Sequence, residues 1–155
     1  MIDSEVIGPR WVNLLLLANV TATLAMVGVI WIIQVVHYPL FSRVGIESFR
    51  AYAVGHNQLI TLVVLPLMFV EIGTAFLLAL LPPSGTPTWL AWGAFGLVLL
   101  IWASTFFIQV PFHNALLVSY TDDAYRGLVL SNWLRTIAWT LRGCIVLWML
   151  WQVMG

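Results

Sequence analysis

Four long runs of apolar residues constrain the fold of this chain more than any other feature. They extend roughly from Trp11 to Val36, Gln58 to Leu81, Thr88 to Phe112 and Trp133 to Met154. Crossing a bilayer takes about 20 helical residues, and lipid leaves the backbone no partner except itself, so runs of this length fold as helices. The sequence therefore predicts an all-α integral membrane four-helix bundle, with residues 1–155 as a single transmembrane domain.

The charged residues are few and narrow the class of protein further. Only 8% of the residues are charged, 62% are hydrophobic, the formal net charge is zero and all six cationic residues are arginine. Because there is no basic patch, we expect no nucleic-acid partner. The single cysteine, Cys144, excludes an internal disulfide framework and a thiolate metal cluster. Asp3 and Glu5 stand where a signal peptide is basic, so we expect the first apolar run to be retained.

Two stretches resemble each other and indicate an internal repeat. Residues 33–37 read Ile-Gln-Val-Val-His, and residues 108–113 read Ile-Gln-Val-Pro-Phe-His. With one extra residue in the second copy, the alignment pairs His37 with His113, Arg50 with Arg126 and His56 with Asn132. We therefore predict two tandem two-span repeats, at about residues 11–81 and 88–154, packed about a pseudo-two-fold axis.

The connection inside each repeat has the pattern of an amphipathic helix. Residues recur there at the spacing of one helical face, and Thr121 is a predicted N-cap of the second connection. We predict that an interfacial helix joins the two spans of each repeat, with both helices on one face of the membrane. The positions are Ile46, Phe49, Ala53 and His56 in the first connection and Asp122, Tyr125, Val129 and Asn132 in the second.

Arginine distribution predicts the orientation. Four arginines lie on the side of the interfacial helices, whereas Arg10 lies on the opposite side with Asp3 and Glu5. Positive charge is enriched on the cytoplasmic side of membrane proteins. We therefore expect a multi-pass protein of the inner (cytoplasmic) membrane whose interfacial helices face the cytoplasm. The four arginines are Arg43, Arg50, Arg126 and Arg135.

Three histidines are expected at one level of the bundle. His37 and His113 end the first and third runs, whereas His56 and Asn132 begin the second and fourth. Three imidazoles with one open position suit iron, copper or zinc, and His37 with His113 would instead ligate a haem from its two sides. The spacing does not choose between these cofactors. The alternative is that each histidine bonds a lipid headgroup or a backbone carbonyl.

The fourth run carries a polar stripe. Asn132, Arg135, Trp139 and Arg142 follow one another at steps of three and four, so they share one helical face, which should point into the bundle. Glu71 is the one acid within the four runs. Counting helical rise puts Arg142 about 7 Å nearer the arginine-rich face than Glu71. We therefore expect Glu71 to be protonated and hydrogen-bonded to a group such as Asn19 or Thr23, rather than paired with Arg142.

A pair of glutamines occupies equivalent positions in the two repeats. Gln34 and Gln109 lie one turn inside the histidines. Two roles are open for them. Each glutamine could orient the imidazole of a metal-ligating histidine by a hydrogen bond, or the two glutamines could hydrogen-bond each other between helices.

Two short segments resemble a known family. Residues 110–116 (Val-Pro-Phe-His-Asn-Ala-Leu) and 132–136 (Asn-Trp-Leu-Arg-Thr) are similar to the anthrone oxygenase-like family of small four-helix membrane proteins, much of which is a domain of unknown function. The resemblance covers roughly Trp102 to Arg142, while His37 and His56 lie outside its pattern. It implies oxygenation of a polycyclic aromatic substrate. The matching positions are Pro111, Asn114, Trp133, Arg135 and Thr136.

Together these features predict a membrane metal- or haem-dependent oxidoreductase or oxygenase that acts on a lipophilic, quinone- or polyketide-like substrate. Arg135 and Arg142 would bind an anionic or carbonyl oxygen, and Asn114 and Asn132 would orient the substrate. The predicted metal ligands are His37, His56 and His113, and the predicted haem ligands are His37 and His113.

Two alternatives of other classes stay open. A small proton-coupled carrier would use Glu71 as its gate, and a structural or assembly subunit of a membrane complex would use its arginines to bind lipid. The expected partners are the lipid bilayer and a lipophilic small molecule, with a homo-oligomer as a further expectation.

Overall fold

The structure, a computed structural model, describes residues 10–155 and consists of four long helices. The first to fourth helices extend over Arg10–Phe41, Ile46–Leu80, Thr88–Val118 and Asp122–Met154. Each is long and apolar enough to cross a membrane, and the described residues contain no strand. The predicted all-α architecture with four apolar helices is confirmed. Asp3 and Glu5, and with them the expectation for the chain start, lie outside the described residues.

Two helices begin earlier than the apolar runs indicate. The second starts at Ile46 and the fourth at Asp122, so the segments predicted as interfacial helices are the first turns of continuous helices. Neither segment contains a proline that would interrupt the backbone hydrogen bonds. Thr121 is the N-cap of the fourth helix, as predicted, because its Oγ1 accepts a hydrogen bond from the Ala124 N–H at 3.3 Å.

The first and third helices each contain one wide, π-helical turn, at Ile33–His37 and Thr105–Gln109. A proline follows each turn, Pro39 in the first helix and Pro111 in the third. A proline ring clashes with the carbonyl four residues before it, and that carbonyl falls inside the wide turn in both helices. The π-helical turn relieves this clash, and such turns are frequent at functional sites.

Short connections make consecutive helices antiparallel. Residues 81–87, which include three prolines, end the second helix and lead into the third. Gly85 has a φ of 75° there, a conformation that residues with a side chain rarely adopt. The first and third helices each pack against the second and the fourth, so the four helices surround one core.

The core has three apolar layers along its length. Phe41, Phe49 and Leu128 belong to the layer at the histidine end. Met26 and Trp139 belong to the middle layer, and a third layer around Leu16, Leu78 and Met149 fills the opposite end. The buried polar side chains lie among these layers, and they build the candidate site.

Candidate functional site

The three histidines come together at one end of the bundle, as the sequence predicts. His37 Nε2 lies 2.7 Å from His56 Nδ1, with ring centroids 4.3 Å apart. The His56 and His113 rings stack with centroids 5.8 Å apart. Phe41, which is fully buried, contacts the rings of all three histidines edge-on. The three imidazoles therefore form one cluster around Phe41.

Asn132 does not join this histidine cluster but lies deeper. Its Nδ2 donates to Gln34 Oε1 at 2.7 Å, and Gln34 precedes His37 by three residues, about one helical turn. The prediction that Asn132 shares the level of the histidines is therefore wrong. The prediction placed Asn132 level with His56. In the structure the fourth helix lies about one turn farther from the histidine end of the bundle than this prediction implies.

Arg135 is a buried cation whose hydrogen-bond acceptors are all neutral. Its Nε donates to Asn132 Oδ1 at 2.9 Å, its Nη1 to Thr105 Oγ1 at 3.2 Å, and its Nη2 to Asn132 Oδ1 and to the Tyr38 hydroxyl. The residue is buried, with 8% of its surface exposed. No carboxylate in residues 10–155 lies within ion-pair distance of it. Its charge is thus uncompensated by the part of the chain described.

The hydroxyl of Tyr38 connects Arg135 to His113. Tyr38 Oη lies 3.4 Å from Arg135 Nη2 and 3.0 Å from His113 Nε2. A guanidinium only donates, so the hydroxyl accepts from Arg135. The hydroxyl donates to His113 Nε2 in the tautomer of the imidazole that carries its proton on Nδ1. The three side chains are thus linked by hydrogen bonds in one chain.

Glu71 and Arg142 form a buried ion pair farther along the bundle. Arg142 Nε lies 2.8 Å from Glu71 Oε1, and both side chains are 1% exposed. Thr23 Oγ1 donates to the same carboxylate oxygen at 2.8 Å, and Trp139 Nε1 donates to the other oxygen at 3.0 Å. Both carboxylate oxygens are therefore acceptors, which does not fit the protonated, donating Glu71 that we expected.

All four helices contribute to this arrangement. Arg142 Nη2 donates to Asn19 Oδ1, and Arg142 Nη1 donates to the Ala94 carbonyl, both at 2.8 Å. Asn19 Nδ2 in turn donates to the Glu71 carbonyl and to Thr74 Oγ1. We call Asn19, Thr23, Glu71, Trp139 and Arg142 the Glu71 network. Thr23 is confirmed as a partner of the Glu71 carboxylate, and Asn19 bonds its backbone carbonyl.

The expectation that Glu71 and Arg142 do not pair is wrong, and the depth of Asn132 explains why. The sequence-based prediction placed Asn132 level with His56, and counting helical rise from there left Glu71 and Arg142 about 7 Å apart along the bundle axis. A shift of the fourth helix by one turn, about 5.4 Å, closes most of that gap. The long arginine side chain covers the remainder.

The two equivalent glutamines have neither predicted role. Gln34 Nε2 donates to the Val129 carbonyl at 3.2 Å, and Gln109 Nε2 donates to Ser131 Oγ at 3.1 Å. Both glutamines thus connect their helices to the fourth helix, and neither has a hydrogen bond to an imidazole or to the other among the described residues. Their hydrogen bonds help to fix the depth of the fourth helix.

A cavity of about 310 Å³ lies beside Arg135. Its wall is mostly apolar, with polar groups from all four helices. We call it the Arg135 cavity. The polar and aromatic side chains that line it are Tyr38, His56, Asn57, Thr61, Trp102, Thr105, Phe106, Gln109, His113, Asn114, Arg135 and Trp139.

The Arg135 cavity opens to the outer surface between the second and third helices. Leu65, Phe106 and Val110 line it and are also 39%, 54% and 39% exposed. Thr61 lines it too and is exposed. The opening therefore lies on an apolar part of the surface, between two helices that are long and apolar enough to cross a membrane.

The histidine cluster does not have the arrangement of a ready metal site. The direct contact between His37 Nε2 and His56 Nδ1 leaves no space for an ion between those atoms. Among the residues that the structure describes, no three His, Cys, Asp or Glu side chains are arranged to hold a metal ion. His56 and Phe41 neighbour both His37 and His113, so a haem held by those two histidines would have to displace them.

The predicted substrate contacts separate into two groups. Arg135 and Asn114 line the Arg135 cavity. Asn132 instead holds the guanidinium of Arg135, and Arg142 is held by the Glu71 network, away from the cavity lining. Of the histidines, His56 and His113 line the cavity, whereas His37 lines a shallower surface groove on the other side of His56.

Sequence reasoning missed five polar or hydrogen-bonding residues of the cavity, which are Tyr38, Asn57, Thr61, Trp102 and Thr105. A signal for two of them, Trp102 and Thr105, was present on the third helix. Trp102 and Thr105 precede Gln109 and His113 at steps of three, four and four, which is the same kind of polar stripe as on the fourth helix. Tyr38 had no comparable signal, because its position depends on the π-helical turn before it.

No family model matches the chain, and no curated protein or solved structure is significantly similar to it. The resemblance to the anthrone oxygenase-like family stays a prediction. The function must therefore be argued from the site itself.

Proposed function

We propose that this chain is an integral membrane oxidoreductase or oxygenase that binds a lipophilic, quinone- or polyketide-like substrate in the Arg135 cavity. The observation that carries the proposal is Arg135 itself, a buried cation at a cavity wall with only neutral acceptors around it. A buried charge without a partner is costly. A carbonyl or anionic oxygen of a substrate complements it, and charge-assisted hydrogen bonds of this kind are the strong ones.

The opening between the second and third helices supports a lipophilic substrate. A ring system reaching Arg135 would leave its tail among Leu65, Phe106 and Val110, which are exposed to lipid. Ligand pockets of this kind are mostly apolar, with a few polar groups that set orientation. The substrate would therefore enter sideways from the bilayer.

The remaining polar groups are assigned roles by their contacts. Asn132 and Thr105 hold the guanidinium of Arg135 and act as positioning residues. Tyr38 and His113 form the hydrogen-bond chain behind the substrate oxygen. Asn114, at the cavity wall, would orient the substrate. Arg142 has no role in substrate binding in this proposal.

A metal- or haem-dependent reaction at the histidine cluster is a second candidate. The closeness of the rings favours it, with centroids 4.3 Å apart for His37 and His56 and 5.8 Å for His56 and His113. Two imidazoles bound to one ion at about 2.1 Å have centroids about 5 Å apart. His37, His56 and His113 would hold iron, copper or zinc once the His37–His56 hydrogen bond opened, and the ion would supply redox or Lewis-acid chemistry.

Elemental analysis of the purified protein tests this second candidate. This candidate predicts stoichiometric iron, copper or zinc that is lost in a His37→Ala/His113→Ala double variant. A Tyr52→Phe variant, whose aromatic ring still stacks on His37, is the matched control and should keep the metal. A wild-type protein purified without metal from metal-supplemented medium would contradict the candidate.

The carrier alternative has lost its main support. It requires Glu71 to move or to change its protonation, whereas Thr23, Trp139 and Arg142 all donate to that carboxylate. A structural or assembly subunit is the outcome that remains if the cavity binds no small molecule.

We also propose the finer arrangement in the membrane. The tandem repeats are supported by the two π-helical turns, because each turn includes one of the two aligned glutamines, Gln34 in the first helix and Gln109 in the third. The exposed Arg43, Arg50 and Arg126 lie at the histidine end, which supports a cytoplasmic location for that end in the inner membrane. The first turns of the second and fourth helices would then lie at the interface as amphipathic segments.

Filling the Arg135 cavity should weaken substrate binding. Val64 is half-buried and lines the cavity, so we expect Val64→Phe to lower the affinity for a decyl-substituted benzoquinone about 10-fold by taking up its space. Quenching of tryptophan fluorescence in lipid nanodiscs would measure the affinity, since Trp102 and Trp139 line the cavity.

Val63→Phe is the matched control for this experiment. Val63 is 51% exposed and does not line the Arg135 cavity, so the same change at this position should alter the affinity less than about twofold. Equal affinities of the two variants would contradict the proposed location of the substrate.

A further inference from the structure

The Arg135 cavity is lined by one arginine and by no acidic side chain. Neither an aspartate nor a glutamate is among the residues that line it. Within residues 10–155, the carboxylate of Glu71 is paired with Arg142. The other carboxylates are exposed in the first turns of the second and fourth helices, and they belong to Glu47, Asp122 and Asp123. The described residues therefore leave the cavity with the uncompensated positive charge of Arg135.

Neutral acceptors hold the guanidinium of Arg135 but do not cancel its charge. Asn132, Thr105 and Tyr38 each accept a hydrogen bond from it through a neutral oxygen. Arginine stays charged in proteins, and opposite charges attract each other more strongly in a protein interior than in water. An anion in the cavity would therefore gain more from Arg135 than a neutral oxygen would.

The hydrogen bonds of Arg135 leave one of its donors for a ligand. A guanidinium has five N–H groups, and four hydrogen bonds are made within residues 10–155, two to Asn132 and one each to Thr105 and Tyr38. The fifth N–H belongs to Nη1, and the acceptor that Nη1 already has, Thr105, is itself a residue of the cavity wall. One ligand oxygen would complete the set.

We infer that the Arg135 cavity binds its substrate as a monoanion whose negative charge lies on an ionised ring hydroxyl. This inference rests on the proposed function and narrows the substrate class from a ring with a carbonyl or anionic oxygen to a ring that carries an acidic hydroxyl. A neutral quinone would accept the same hydrogen bond but leave the charge of Arg135 without an opposite charge. Arg135 is thus a specificity-determining residue.

Two probes of nearly the same shape test the inference. The first is a decyl-substituted hydroxybenzoquinone, whose hydroxyl is ionised at neutral pH because the quinone carbonyls withdraw electrons from it. The second is the corresponding methoxybenzoquinone, which cannot ionise. We expect the wild-type protein in nanodiscs to bind the hydroxyquinone about 10-fold more tightly at neutral pH, by calorimetric titration with empty nanodiscs subtracted.

A spectroscopic measurement on the wild-type protein checks the same preference. If the anion of the hydroxyquinone binds about 10-fold more tightly than its neutral form, the pKa of the probe's hydroxyl falls by about one unit on binding. The ionised form absorbs at longer wavelength, so visible spectra recorded across a pH series in loaded and empty nanodiscs measure this shift. Neither measurement on the wild-type protein needs a variant that folds.

Three variants assign the preference to the charge of Arg135. Arg135→Gln removes the charge and should bind the two probes with affinities within about twofold of each other. Arg135→Lys keeps the charge and should still prefer the hydroxyquinone, although both probes bind more weakly because the planar fork is lost. Arg126→Gln removes an exposed arginine of the same helix and, as the matched control, should behave as the wild-type protein does.

The outcomes separate the inference from the proposed function. If the wild-type protein binds both probes equally, or if Arg135→Gln keeps the preference for the hydroxyquinone, the inference is overturned while the proposed function stands. If the wild-type protein binds neither probe, both are overturned.

Discussion

Glu71→Gln is expected to lower the free energy of unfolding by about 3–5 kcal/mol, the range for breaking a buried ion pair at one partner. The amide has nearly the same shape as the carboxylate, so packing is retained while the Arg142 guanidinium is left buried with no opposite charge. The amide nitrogen of the glutamine is a donor, so it would face another donor, either the N–H of Trp139 or the hydroxyl of Thr23. Unfolding in mixed detergent micelles, followed by circular dichroism, would measure the loss.

Two further variants decide whether the charge is the cause. Glu71→Gln combined with Arg142→Met removes both charges and should recover about half of the loss, because no unpaired ion remains. Glu47→Gln removes an exposed carboxylate from the same helix and should cost less than about 0.5 kcal/mol. A Glu71→Gln protein as stable as the wild type would show that the Glu71 network does not hold the bundle together.

Arg135→Gln is expected to lower the affinity for the decyl-substituted benzoquinone about 100-fold without lowering stability. A charged hydrogen bond to a buried oxygen contributes about 1.5–3 kcal/mol, which the glutamine does not replace. Stability should stay within about 1 kcal/mol of the wild type or rise, since the arginine is a buried cation without an acid partner in the described residues. Calorimetric titration in nanodiscs and unfolding in micelles measure the two effects.

The charge and the shape of Arg135 can be separated. Arg135→Lys keeps the charge but loses the planar fork that reaches Asn132, Thr105 and Tyr38, so it should bind about 10-fold more weakly than the wild type. Arg126→Gln removes an exposed arginine of the same helix and should leave the affinity unchanged. If Arg135→Gln destabilised the protein and bound the quinone normally, Arg135 would be a structural residue and the proposed function would lose its basis.

The two buried arginines of the fourth helix are expected to have different roles because their partners differ. Arg142 and Arg135 lie on one face of one helix, two turns apart, and the sequence pattern treats them alike. Arg142 has Glu71 within 2.8 Å, whereas Arg135 has neutral acceptors and a cavity. Only the first is expected to be structural, and only the second to bind a ligand.

Features that depend on one helix alone were predictable from the sequence. The four helices follow from the length of the apolar runs, because a bilayer allows few other structures. The inward direction of Asn132, Arg135, Trp139 and Arg142 follows from the helical period. The meeting of the three histidines follows from their positions at the ends of neighbouring spans.

Features that depend on the relative depth of two helices were not predictable. The depth of the fourth helix is fixed by side-chain packing and by hydrogen bonds from Gln34 and Gln109, which no count along the sequence contains. An error of one turn in that depth was enough to separate Glu71 from Arg142 in the prediction. The missing hydrogen-bond partner of the Trp102 indole N–H among the described residues was not predictable either, because it depends on which side chains surround the indole in the folded bundle.

The Glu71 network also constrains the order in which this protein enters the membrane. Glu71 belongs to the first helical hairpin and Arg142 to the last helix, so neither charge has its partner until both are in the bilayer. The fourth helix carries two buried arginines and has the lowest mean hydropathy of the four, 1.4 against 1.9 to 2.3, and arginine at the centre of a span opposes translocon-mediated insertion by about 2.5–3.5 kcal/mol. A first hairpin that is already inserted offers Glu71 to this helix, and the ion pair would then offset part of the cost of burying Arg142.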